Sequence, residues 1–215
     1  MKQNLKDIID KQGWIEITDI HSDNKLLDIA NQLGEVIAHP NGEVISNISP
    51  KAKEASMNGT FSNRFGFEEF PLHTDTAFWS KPVRFVLLSS ENVSQTKTLI
   101  LHKNKIWERL NESDQVTAKQ AVYIVKTIHG QHYASLLFND SGNSGLRYDP
   151  CTMYPVNKAA KEIHQKINEI LKDLSPYEIE WSGNKVIIFD NWSTLHGRSN
   201  ANSKENRILK RIYIN

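Results

Sequence analysis

Cysteine is almost missing from this chain: Cys151 stands alone among 215 residues. A lone thiol closes no internal disulfide, so the fold must hold by burial and hydrogen bonding, and a reducing cytoplasm is the expected setting. Charge of one sign is missing too. The 26 Lys and Arg offset 25 Asp and Glu to a net charge of +1. That balance builds no field for a polyanion and argues against a nucleic-acid partner. No apolar run approaches the roughly 20 residues that span a bilayer, so no membrane partner is expected. The opening stretch MKQNLKDIIDKQGW interrupts its apolar positions with charges and lacks the core of a signal peptide. Repeats, low-complexity tracts and linkers are absent as well. What remains is ordinary: 39% hydrophobic and 24% charged residues, consistent with one domain over 1–215 and a core of real size. The sequence carries no mark of an oligomeric state.

Local signals place the elements. Asn4 caps a short helix to about Lys11 that Gly13 stops, and Trp14 to Thr18 alternates like a strand. Ser22 and Asp23 start a helix that buries Leu26, Leu27, Ala30 and Leu33 and ends near Gly34. Glu43 to Ile48 reads as a strand, whereas the polar, Gly-bearing stretch from Ser49 to Phe70 reads as an active-site loop, a lid or plain surface. Val83 to Leu88 and Thr98 to Leu101 are strand candidates, and a helical segment begins at Ile106. Ala121 to Ile128 and Tyr133 to Phe138 flank a turn at His129-Gly130. Asn157 caps the clearest helix, with Ile163, Ile167, Ile170, Leu171 and Leu174 on one face. Strands return at Tyr177 to Trp181, Lys185 to Phe189 and Arg207 to Ile214. Many strands with helices outside them predict a mostly β sandwich or barrel.

Three signals carry chemistry. In FPLHTDTAFW, His73 and Asp75 are two apart, so a strand would aim both at one point. His196, in FDNWSTLHGRS, follows an apolar strand and could bring a third ligand from far away in the chain. Two histidines and one carboxylate form a facial triad that leaves adjacent coordination positions open; ligand type alone also suits zinc. In ENRILKRIYIN, Arg207 and Arg211 would share a strand face with Leu209. A buried arginine needs an anion, and a dicarboxylate co-substrate bound at the metal would provide one.

These stretches, with TKTLILHKNKIWERL, resemble the taurine dioxygenase and clavaminate synthase group from about Trp14 onward. The resemblance implies a double-stranded β-helix, the jelly-roll core of cupins, and an iron(II) dioxygenase that uses 2-oxoglutarate and O2. It implies His73, Asp75 and His196 as iron ligands and as the catalytic set. It implies Thr98 and Arg207 at the far carboxylate of 2-oxoglutarate, Arg207 lying eleven residues past the distal histidine. Arg211 matches a position that some members use for an acidic substrate group. Where the family has a glycine pair before the threonine, this chain has Ser94-Gln95-Thr96-Lys97, so the turn there differs. The expected reaction is hydroxylation of a C–H bond of a small acidic or zwitterionic metabolite, an amino acid or natural-product intermediate, coupled to decarboxylation of 2-oxoglutarate to succinate and CO2. Desaturation or ring chemistry would use the same residues. Halogenation would need the carboxylate ligand gone, and Asp75 is there.

Other readings stand beside these. Phe78 and Trp192 lie next to the iron motifs and are candidates to line a substrate pocket. Arg147 is a surface salt bridge or a substrate anchor, and Arg198 either supports the site or lies outside it. His129 and His132 mark a turn rather than a metal site, and His164 is expected to be solvated on its helix. A cupin-like metal protein without catalysis, or a zinc hydrolase on the same triad, would leave the pairing of Thr98 with Arg207 unexplained.

Overall fold

A computed structural model describes residues 4–128 and 130–215. In chain order its strands are β1 (Trp14–Ile17), β2 (Val36–Ile37), β3 (Ser46–Ile48), β4 (Phe70–His73), β5 (Phe85–Ser90), β6 (Val93–His102), β7 (Val122–Thr127), β8 (Gly130–Ser135), β9 (Leu137–Asp140), β10 (Asn143–Leu146), β11 (Met153–Pro155), β12 (Tyr177–Ser182), β13 (Lys185–Asp190), β14 (Thr194–Arg198) and β15 (Leu209–Ile214). The α-helices are α1 (Leu5–Gln12), α2 (Asp23–Asn31), α3 (Phe61–Phe65), α4 (Lys103–Trp107), α5 (Glu112–Gln120) and α6 (Lys158–Asp173). No helix among the described residues is long and apolar enough to cross a membrane.

Two antiparallel sheets make the body. The larger runs β1-β13-β5-β15-β2, with β3 also on β15, and the smaller runs β12-β6-β14-β4. Alternation assigns the layers. Val86 and Leu88 of β5, Ile187 and Phe189 of β13, and Leu209 and Tyr213 of β15 turn inward to meet Ile100, Ile179 and Trp181 of the smaller sheet. Their neighbours Phe85, Leu87, Val186, Ile188, Ile212 and Ile214 face outward and are covered by α1 and α2 through Ile9, Leu26 and Ala30. Helix α6 buries Ile163, Ile167 and Ile170 on a second outer core with Leu101 and Leu195. The mostly β fold expected from the strand count is the fold observed.

The boundaries differ in instructive places. The strand expected from Glu43 shrinks to Ser46–Ile48, and β14, which holds the distal histidine, gave no strand signal because Gly197 and Arg198 interrupt its apolar pattern. Gly197 is there for space: a Cβ would lie 2.7 Å from the Phe70 carbonyl oxygen of β4. His129 lies outside the described residues, and His132 is exposed on β8. His164 is not solvated as expected. It is half-buried between the rings of Tyr123 and Tyr148, and burial lowers its pKa.

Arg147 corrects both readings made for it. It is buried, and its guanidinium donates to the carbonyls of Ala77 (2.9 Å), Trp79 (2.7 Å) and Ser80 (2.7 Å). It binds the turn that follows Asp75 rather than a surface acid or a substrate. Arg147→Ala should therefore destabilise the fold by about 3 kcal/mol, since it strands several buried acceptors. Urea denaturation measures this; a change within experimental error would show that water replaces the guanidinium.

Candidate active site

The strand register sets the two histidines side by side. His73 of β4 and His196 of β14 are direct cross-strand partners, and their ring centroids are 4.3 Å apart. His73 Nδ1 donates to the Pro71 carbonyl at 2.8 Å, which leaves Nε2 to offer its lone pair. The ring of Phe61, from α3, stacks on His73 at 4.2 Å. His196 is held neutral: burial, reinforced by the neighbouring His73, brings its pKa down to about 3.

Asp75 reaches the same place by a different route from the one expected. Strand β4 stops at His73, so period-two alternation does not aim the carboxylate. A turn does, with Thr76 at φ 53°. Asn191 clamps that turn, accepting from the Asp75 N–H at 2.8 Å and donating to the Asp75 and Val83 carbonyls, each at 2.9 Å. Asp75 Oδ2 then lies 4.0 Å from His196 Nε2 and 3.1 Å from Arg211 Nη1. Its Oδ1 accepts from the Tyr213 hydroxyl at 2.8 Å and the Thr76 N–H at 3.0 Å. Burial alone would raise this carboxyl, but Arg211, both histidines and Tyr213 outweigh it and hold it well below the usual carboxylate range. Arg211 is thus already paired, and the argument that it must find its anion on a substrate loses its premise.

His73, Asp75, His196, Thr98, Arg207 and Arg211 line one cavity of about 510 Å³. Arg207 precedes β15 rather than lying on it. It is buried, its Nε has no partner, and among the described residues it forms no ion pair. Burial, with Arg198 nearby, lowers its pKa to about 10, so it stays charged at neutral pH. Thr98 Oγ1 accepts from Arg207 Nη2 at 3.4 Å and from Trp181 Nε1 at 3.2 Å, which leaves the threonine proton to donate. Arg198 supports the wall, stacking on Phe70 at 3.6 Å and donating to the Gly66 carbonyl at 2.8 Å. Phe78 lines the cavity, with Met57, Trp79 and Ile128. Trp192 does not. It is buried elsewhere, its indole donating to the Pro82 carbonyl at 2.9 Å and its face covered by Arg84. From the Ser49–Phe70 stretch, Ser49, Pro50 and the run from Met57 to Ser62 also line the cavity.

Among the described residues no three His, Cys, Asp or Glu side chains stand close enough to hold a metal as placed. The donor chemistry fits ferrous iron all the same: two imidazoles with available nitrogens and one ionised carboxylate, adjacent, with His73 and Asp75 buried and His196 nearly so. The orphaned Arg207 Nε, backed by Thr98, fits the far carboxylate of a dicarboxylate. Tyr213 and Asn191 were not anticipated. Alternation from Leu209 through Arg211 continues to Tyr213 and could have found it; nothing in the sequence marks Asn191.

No curated protein sequence matches the chain. Solved structures do. An asparagine oxygenase in complex with Fe(II), 2S,3S-3-hydroxyasparagine and succinate is 17% identical with a TM-score of 0.80, over 98% of this chain and 78% of that one. PvcB from Pseudomonas aeruginosa is 17% identical with a TM-score of 0.72, over 98% and 78%. AAD-2 in complex with Mn(II) and N-oxalylglycine is 14% identical with a TM-score of 0.78, over 98% and 86%. At such identities the likeness speaks for the fold. The sequence profile of one family matches residues 1–213. The chain belongs to the Taurine catabolism dioxygenase TauD, TfdA family, iron- and 2-oxoglutarate-dependent oxygenases.

Proposed function

We propose that His73, Asp75 and His196 hold iron(II) and that Arg207 and Thr98 hold the far carboxylate of 2-oxoglutarate. The observation that carries this is the buried, unpaired Arg207 opening into the same cavity as the triad. Bound there, iron(II) supplies oxidative chemistry, coupling O2 consumption and decarboxylation of 2-oxoglutarate to oxidation of a substrate C–H bond. The protein's share is position. Arg207 fixes the co-substrate by a charge-assisted fork, and Asn191 and Arg147 fix the turn that carries Asp75. Met57, Phe78, Trp79 and Ile128 give the cavity apolar lining beside its charged groups.

The substrate we propose is a small acidic or zwitterionic metabolite, such as an amino acid or natural-product intermediate, and the outcome hydroxylation. Its support is the 3-hydroxyasparagine bound in the similar asparagine oxygenase structure rather than Arg211. The whole chain is read as one catalytic domain, and the single buried Cys151 suits a reducing, cytoplasmic setting. The experiment is succinate release from 2-oxoglutarate with added ferrous iron, alone and with a panel of amino acids. Succinate above the metal-free control is expected; none under any condition, with iron bound, would overturn the reading.

A further inference from the structure

The two oxygens of Asp75 are treated differently by the protein, and Tyr213 makes the difference. A carboxylate oxygen offers two lone-pair directions. Oδ1 has both engaged, by the Tyr213 hydroxyl at 2.8 Å and the Thr76 N–H at 3.0 Å. Oδ2 faces His196 at 4.0 Å and takes one donor, Arg211 Nη1 at 3.1 Å. Only Oδ2 therefore keeps a direction open toward the histidines.

Tyr213 is held for this task. It is buried, with the His39 ring 4.2 Å from its own, the edge of Trp79 at 5.9 Å and the Arg211 guanidinium over its face at 4.6 Å. His39 is fixed in turn, its Nε2 donating to the Arg211 carbonyl at 3.0 Å. A phenylalanine would fill the same volume. What tyrosine adds is one hydroxyl, which buried in an apolar wall would be unfavourable without an acceptor, and its acceptor is Asp75 Oδ1.

We propose that Tyr213 is a positioning residue that restricts Asp75 to ligation through Oδ2 alone. This rests on the triad reading given above. A carboxylate with both oxygens free can turn and bind through both, taking a coordination position that a facial triad leaves for co-substrate and O2. The Tyr213 hydroxyl prevents that turn, so it acts on co-substrate binding through the ligand rather than by touching the co-substrate.

The test is Tyr213→Phe in the full chain, checked for folding by circular dichroism and melting. Two signals are read without O2: the visible spectrum of the Co(II)-loaded protein, and 2-oxoglutarate affinity from the charge-transfer band of the Fe(II)-loaded protein. Expected are an altered Co(II) spectrum and a 2-oxoglutarate Kd raised about tenfold or more, the range in which partners of metal ligands act. An unchanged spectrum, or a Kd within about threefold of wild type, removes the role from Tyr213. If the variant does not fold, the wild type decides alone. Infrared difference spectra of the Zn(II)-loaded protein with labelled aspartate should show the wide carboxylate splitting of one-oxygen binding, and a narrow splitting overturns the proposal. Wild-type protein that binds neither Co(II) nor 2-oxoglutarate would refute the triad reading itself, and the proposal with it.

Discussion

Asp75→Ala should abolish turnover and, unlike replacement of either histidine, strip the fold of a partly buried ion pair. The first effect follows from losing one of the three proposed protein ligands. The second follows from what is left behind. Arg211 is partly buried beside Asp75, and the Tyr213 hydroxyl has the same carboxylate as its acceptor. Removing one member leaves Arg211 uncompensated but still partly solvated, which destabilises by up to about 3 kcal/mol. The pH dependence has a definite sign. The folded-state carboxyl is held below its ordinary value, so the pair contributes fully at neutral pH and loses its contribution only as pH falls below the usual carboxylate range. Denaturant titration of wild type and variant at pH 7 and under acid conditions measures both. Equal stability of the two at neutral pH would mean that Arg211 finds another partner; retained turnover would remove Asp75 from the iron.

Arg207→Ala should leave iron binding nearly intact and raise the 2-oxoglutarate concentration needed by a large factor. The guanidinium is buried and forms no ion pair among the described residues, so its full interaction is available to a carboxylate. Loss of a buried charge-assisted pair is worth about 2–5 kcal/mol, which is roughly 30-fold to several thousand-fold in affinity. Arg207→Lys should fall between, because an ammonium keeps the charge but loses the fork. Titration of the charge-transfer band of the anaerobic iron complex reads this directly. Arg211 cannot stand in, being committed to Asp75, so unchanged affinity would place the co-substrate's far carboxylate elsewhere in the cavity.

How much of this was legible depended on whether a residue's role is local. Helix α6 was plain because an Asn157 cap and a 3.6-residue apolar period are local facts, and the strands around Val83 and Lys185 announced themselves by apolar runs. The three residues proposed as ligands stood out as motifs, but the reason His73 and Asp75 converge was not legible. Strand geometry was the natural inference, and a turn held by Asn191 is the fact. Trp192 failed because sequence proximity to a motif says nothing about which way a side chain leaves the backbone. Arg147 failed because its acceptors are backbone carbonyls, that of Ala77 70 residues away, which no residue pattern marks. Arg211 failed for another, since a charge that looks unpaired in the sequence finds its partner across the sheet.

The separations spanned by the Asp75 contacts have a consequence for synthesis. Asn191 is 116 residues away, Arg211 136 and Tyr213 138. Contacts of such long range form slowly, because the chain entropy of closing large loops is spent before the contacts reward it. His73 and Asp75 leave the ribosome long before His196, and longer still before β15. A half-made chain therefore holds a lone His-x-Asp segment with neither its second imidazole nor the carboxylate's fixed orientation. On the proposed triad, iron would gain its full seat only once β15 docks, so topology itself would delay metal loading in the nascent chain.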